Sequence, residues 1–132
     1  AQSYLKRLIV MNPNHIIALN NLAWLMREKD LGQAIKYAQR AHELVPHSPE
    51  IADTFAHLLF LKGEASQAVN VWRGVEKRIK DPEILLHYAK GLLNTKEKRK
   101  AISVLEQIEE KWKSFKGLGE VKRLMKEAKS AN

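Results

Sequence analysis

Apolar residues along the chain recur at intervals of three and four, the spacing of one face of an α-helix. The pattern is clearest in three segments: LNNLAWLM (19–26), DTFAHLLF (53–60) and LHYAKGLL (86–93). Each is followed by a second amphipathic segment: residues 32–45, 66–79 and 99–112. The pattern therefore predicts an all-α chain of consecutive helix pairs, with no β-sheet.

The helix pairs repeat with a period of about 33 residues, carried by alanines in both helices. In the first helix of each pair the alanines are Ala23, Ala56 and Ala89. In the second helix they are Ala34, Ala68 and Ala101, and Ala41 follows in the first pair. Small residues let two helix backbones approach closely, so these alanines predict the seam of each hairpin. Because one hairpin cannot bury both of its faces, the hairpins are expected to stack into a solenoid.

Prolines and cap residues mark the predicted boundaries. Asn14, Ser48 and Asp81 precede the first helices, where a side-chain oxygen can accept from a free backbone N–H group. Gly63 can supply the left-handed residue that ends a helix. The sequence predicts a single domain over 1–132 with these parts: 1–13, the second helix of a truncated repeat; 15–46, 49–80 and 82–113, three repeats; and 117–130, a capping helix.

This pattern resembles the tetratricopeptide repeat, a family with a period of about 34 residues. The similarity covers residues 1 to about 113, with departures: the first turn is one residue short, and Lys96 stands where the family often has glycine. The resemblance implies a right-handed superhelical solenoid of helix hairpins, bacterial in type, that binds proteins.

The wording of NNLAWLM and DTFAHLLF also resembles the TPR-repeat lipoproteins of PEP-CTERM/exosortase exopolysaccharide systems. That narrower resemblance implies a bacterial export or exopolysaccharide context. It also implies a periplasmic or membrane-anchored parent protein, with a cytoplasmic one as the alternative.

In the tetratricopeptide family the first helix of each repeat, the A helix, lines the binding face. The resemblance therefore implies these partner-binding residues: Asn20, Trp24, Arg27, Asp53, His57, Phe60, Leu86, Lys90 and Asn94. Trp24 and Phe60 would be the anchors, because aromatic residues dominate binding hot spots. The alternative for Trp24 is packing against the N-terminal helix.

Composition limits the other function classes. Residues 77–132 hold 15 Lys/Arg against 8 Asp/Glu, whereas residues 1–76 hold 8 against 7. The basic half can attract anions, but with no nucleic-acid motif a solvated lysine-rich surface is the preferred interpretation. No apolar run approaches the roughly 18 residues of a membrane span.

No constellation of residues predicts catalysis, a cofactor or a metal site. Cysteine is absent, and the five histidines show no metal-binding spacing. His57 and His87 are the one pair that could approach each other, and ordinary surface histidines are the preferred interpretation. The predicted function is a non-catalytic scaffold that binds a protein or peptide in a concave groove. Self-assembly into a homo-oligomer through exposed repeat ends is the alternative.

If the alanine seam exists, Ala56→Leu should lower the free energy of unfolding. Overpacking a tight contact typically costs about 1–3 kcal/mol. Urea denaturation followed by circular dichroism measures this loss, and unchanged stability would show that the two helices do not meet at Ala56.

Overall fold

The computed structural model describes residues 2–130 and is helical throughout; Ala1 and residues 131–132 of the predicted domain lie outside the described range. The eight α-helices of that range are α1 (Gln2–Met11), α2 (Ile16–Leu25), α3 (Leu31–Leu44), α4 (Pro49–Lys62), α5 (Ala65–Val75), α6 (Pro82–Asn94), α7 (Lys98–Lys111) and α8 (Leu118–Ser130). A 3-10 turn over Glu76–Arg78 follows α5. No strand occurs within residues 2–130, so the all-α prediction is confirmed.

The helices form two compact units, residues 1–78 and residues 79–132. In the first unit α2 pairs with α3 and α4 pairs with α5, while α1 packs on α2 and α4 packs on α3. In the second unit α6 pairs with α7, and α8 packs on α7. Consecutive antiparallel helices are thus the building block of both units, as in helical repeat proteins.

Alanine forms the core of every hairpin. All seven alanines that predicted the seam have no exposed surface: Ala23, Ala34, Ala41, Ala56, Ala68, Ala89 and Ala101. Large side chains fill the space beside them, and Trp72 and Tyr88 are also fully buried. No polar or charged side chain of residues 2–130 belongs to the buried class, so burial of apolar surface stabilises the fold.

The helix starts are capped by side chains, with one correction to the sequence prediction. Ser48 Oγ accepts from the Ile51 N–H at 3.3 Å, and Asp81 Oδ1 accepts from the Glu83 N–H at 2.9 Å. Asn14, however, does not cap α2. His15 does so, because its Nδ1 accepts from the Ala18 N–H at 3.2 Å.

Asn14 serves another purpose. Its Oδ1 accepts a hydrogen bond from the Arg40 guanidinium, which also donates to the Pro13 carbonyl at 3.0 Å. The Asn14 side chain thereby ties the turn before α2 to α3, a contact that spacing along the sequence does not reveal.

The A-type helices α4 and α6 end in the same way, with different residues in the left-handed position. Gly63 has φ +96° and Lys96 has φ +66°. After each, an N–H group reaches back five residues: Glu64 to the Leu59 carbonyl at 2.9 Å, and Glu97 to the Leu92 carbonyl at 2.8 Å. Lys96 therefore occupies a conformation that glycine adopts without strain and that a side chain disfavours.

Lys96→Gly should raise the free energy of unfolding by about 0.5–1 kcal/mol. It removes left-handed strain worth roughly 1–2 kcal/mol, part of which is lost to the greater freedom of glycine in the unfolded chain. The matched change Gly63→Ala should lower stability by about 1 kcal/mol, because a Cβ there meets no atom within 4 Å and only backbone strain is added. Urea denaturation of both variants measures the two signs; destabilisation by Lys96→Gly would contradict this interpretation.

Candidate partner-binding site

Trp24 on α2 is held in place by two neighbours while much of its ring stays open. The Arg27 guanidinium carbon lies 4.3 Å from the ring centroid, and Arg27 Nη1 donates to the Trp24 carbonyl at 2.7 Å. The His57 ring on α4 lies 5.7 Å away, centroid to centroid, at a tilt of 48°. Trp24 nevertheless keeps 42% of its surface exposed. The sequence prediction thus placed three residues that meet in the structure.

A cavity of about 400 Å³ lies beside Trp24, between α1 and α2. Its lining residues are Tyr4, Leu5, Asn21, Trp24 and Leu25. Tyr4 and Leu25 are themselves exposed by 59% and 45%. Trp24 therefore both faces the N-terminal helix and stays accessible, which combines the two alternatives that the sequence left open. Sequence analysis missed Tyr4 and Asn21, although Tyr4 lies one period before Tyr37.

Asp53 and Phe60 on α4 have a structural role inside the second hairpin. Trp72 Nε1 on α5 donates to Asp53 Oδ1 at 2.8 Å. The Phe60 ring lies 6.4 Å from the Trp72 ring, tilted by 60°. A buried indole N–H needs an acceptor, and Asp53 supplies it, so this carboxylate positions Trp72 between the two helices.

Asn20 is half-buried, and its amide oxygen is shielded from solvent. Within residues 2–130 that oxygen has no hydrogen-bond partner. An unpaired buried acceptor costs about 1–3 kcal/mol, so Asn20 sits at an unfavourable polar position on α2. Its role as a contact residue stays a prediction.

In the second unit the three predicted residues have different surroundings. Leu86 is only 4% exposed, which corrects the expectation that it lies on an open face. Its Cδ2 lies 3.3 Å from the point where a Cβ on Gly117 would stand, so the segment that leads into α8 covers it. Lys90 pairs with Glu120 of α8 at 2.5 Å, and Asn94 is exposed.

The histidines belong to packing clusters. No group of His, Asp or Glu that could hold a metal ion occurs among the described residues. His42 lies 5.5 Å from the Phe55 ring, centroid to centroid. Burial lowers the pKa of His42, and the neighbouring Glu43 carboxylate partly opposes that shift. The neutral ring is therefore favoured, as suits an imidazole packed on an aromatic side chain.

Comparison with known proteins decides the family. Residues 27–108, more than half of the chain, match the family model described as anaphase-promoting complex, cyclosome, subunit 3. The chain belongs to this family of tetratricopeptide-type repeats. The recognition of tetratricopeptide repeats in the sequence is confirmed, and repeats of this type are generally non-catalytic scaffolds for protein–protein interaction. No curated protein matches the chain significantly.

Solved structures of tetratricopeptide proteins share the fold at low sequence identity. YrrB, described as a TPR protein with an unusual peptide-binding site, superposes with a TM-score of 0.72 at 16% identity, over 83% of this chain and 58% of its own. A thermophilic TPR protein of Thermus thermophilus, TTC0263, gives 0.75 at 17%, over 99% and 72%. The MamA protein gives 0.74 at 19%, over 98% and 76%. The chain thus spans little more than half of YrrB.

Hydropathy adds one finding. Across residues 2–130 every helix is too short or too polar to traverse a bilayer.

Asp53→Ala should lower the free energy of unfolding by about 1–3 kcal/mol, because it leaves the buried Trp72 N–H without this acceptor. Asp53→Asn keeps an acceptor oxygen and should cost less. Thr54→Ala, one residue further along α4, is the control. Denaturation followed by Trp72 fluorescence measures the differences, and equal stability of all three variants would refute the structural role of Asp53.

Proposed function

We propose that the chain is a non-catalytic interaction scaffold that holds a peptide segment of a partner protein against the A-type helices of its first unit. The observation that carries the proposal is Trp24: a tryptophan 42% exposed on a packed helix, with its ring fixed from two sides. Rigid aromatic side chains make strong anchors, because little conformational freedom is lost when a partner covers them.

The surroundings of Trp24 support a partner that is apolar at its centre and polar at its edge. The adjoining cavity of about 400 Å³ lies within the size range of small-ligand sites and can receive one or two apolar side chains. Arg27 beside the ring offers donors for carbonyl or carboxylate groups of the partner. His57 extends the surface from α2 to α4, and Phe60 is its half-buried margin.

Catalysis has no support in the site. The polar groups around Trp24 are a guanidinium, an imidazole and carboxamides, and none of them is paired with a nucleophile in a catalytic arrangement. The peptide-binding site described for YrrB shows that a protein of this fold can serve such a purpose. In our proposal Lys90 and Asn94 occupy the matching positions on α6, where Lys90 is already paired with Glu120.

Self-assembly through both ends of the repeat array is the less favoured function. The exposed large apolar residues all lie between Tyr4 and Leu61. The exposed face of α8 is instead charged, with Lys122, Arg123, Lys126 and Lys129. Stacking in which one end meets the other would place an apolar end against a charged one.

Peptides selected against the chain from a phage-displayed library provide a probe for this function. Trp24→Ala should weaken binding of the selected peptide about 30-fold or more, since removing an anchor typically costs about 2 kcal/mol. Ile17→Ala, another exposed apolar residue on α2, is the matched control and should change affinity little. Isothermal titration calorimetry measures both, with circular dichroism to verify the fold.

Charge reversal of Lys122, Arg123 and Lys126 tests the competing surface. These residues should matter little if α8 only caps the second unit. Loss of binding in this triple variant, with full binding by Trp24→Ala, would move the site to the basic half of the chain and overturn the proposal.

A further inference from the structure

Helix α1 occupies the position of a second helix in a hairpin, as the period of the repeat shows. Leu5 lies in register with three residues that have no exposed surface: Ala38, Trp72 and Leu105. Leu8 is likewise in register with three buried residues: Ala41, Val75 and Ile108. Leu5 and Leu8 themselves are only part-buried, and no residue of α1 reaches full burial.

The missing burial identifies what α1 lacks. In the complete hairpins the corresponding residues of α3, α5 and α7 are covered by the A-type helices α2, α4 and α6, respectively. Helix α1 packs on α2, which begins the next repeat. The uncovered side includes Tyr4 and Leu5, and it continues into the cavity of about 400 Å³ that Trp24 and Leu25 complete.

We propose that α1 and α2 form a docking site for one more helix, an amphipathic and acidic helix supplied by a partner protein. This site goes beyond the proposed peptide-binding function: both use Trp24, but this one depends on α1, and its occupant is a helix that completes a hairpin.

The fold itself specifies the shape of that helix. Each A-type helix of the chain presents an alanine at the closest approach to its hairpin partner: Ala23, Ala56 or Ala89. The partner helix therefore needs a small residue at that position and large apolar residues one turn to either side. Burying such a stripe is what makes a helix a stable hairpin partner.

Charge specifies the rest. Lys6 and Arg7 are exposed on α1, and no acidic residue occurs within Gln2–Met11. Oppositely charged residues on the partner would speed its association and favour one orientation. A second copy of the chain fits poorly, because its A-type helices α2, α4 and α6 are already paired. Its remaining end helix, α8, exposes Lys122, Arg123 and Lys126.

A synthetic peptide with the sequence of residues 47–63 is the probe. It is the A-type helix α4 with its caps Ser48 and Gly63, and it carries Ala56 as the seam residue and Glu50 and Asp53 as acidic residues. Fluorescence anisotropy of the labelled peptide with the whole chain measures binding. Two control peptides carry Ala56→Leu or the pair Glu50→Lys and Asp53→Lys, and both should bind at least 10-fold more weakly.

Protein variants locate the site. Leu5→Asp should weaken binding of the probe at least 10-fold, whereas Ser3→Asp, an exposed position on the same helix, should not. Lys6→Glu with Arg7→Glu leaves the apolar face intact, so it tests the charge even if Leu5→Asp unfolds α1. Phe60→Ala should leave probe binding unchanged while weakening the library-selected peptide, which separates this site from the proposed function.

Three results would overturn the inference. They are no binding of the probe at millimolar concentration, equal binding of the Ala56→Leu peptide, and a dimer of the chain that Leu5→Asp dissociates. The last would assign the face of α1 to a second copy.

Discussion

The close approach of two helices at alanine is the constraint on which this structure depends. Seven alanines with no exposed surface bring the paired helices together, and a larger side chain at any of them would push the backbones apart. The large apolar residues then pack around this seam, Trp72 and Tyr88 among them. Because the seam uses only one side of each A-type helix, another side remains free to carry residues that have no part in folding. Trp24 lies on that side of α2.

The period of the sequence was sufficient to predict the hairpins, because seam burial depends on which residue type occurs at which interval. It could not predict how individual polar side chains find partners. Asn14 and His15 are both able to cap α2, and the choice depends on Arg40, which engages the Asn14 side chain. Leu86 has the spacing of a surface residue, yet the segment before α8 covers it. Such contacts join residues far apart in sequence, where no repeat pattern applies.

The same reasoning separates the predicted site residues by what they contact. Trp24, Arg27 and His57 meet in one cluster whose aromatic ring is partly open. Asp53 instead supports the buried indole of Trp72, so a change there acts on stability first. A ring that is already fixed before binding loses little entropy in a complex, and the packed hairpins provide that rigidity. Fold and proposed function are linked in this way: the alanine seam fixes α2 and α4, and these helices fix Trp24.

The three tryptophans allow the central claim to be tested in one experiment. Trp24 is 42% exposed, Trp72 is fully buried and Trp112 is half-buried in the other unit. Their indole N–H signals in a ¹⁵N-correlated NMR spectrum should respond differently when a library-selected peptide is added. We expect the Trp24 signal to shift progressively to saturation while those of Trp72 and Trp112 change little. A Trp24 signal that stays in place while the peptide binds would contradict the account.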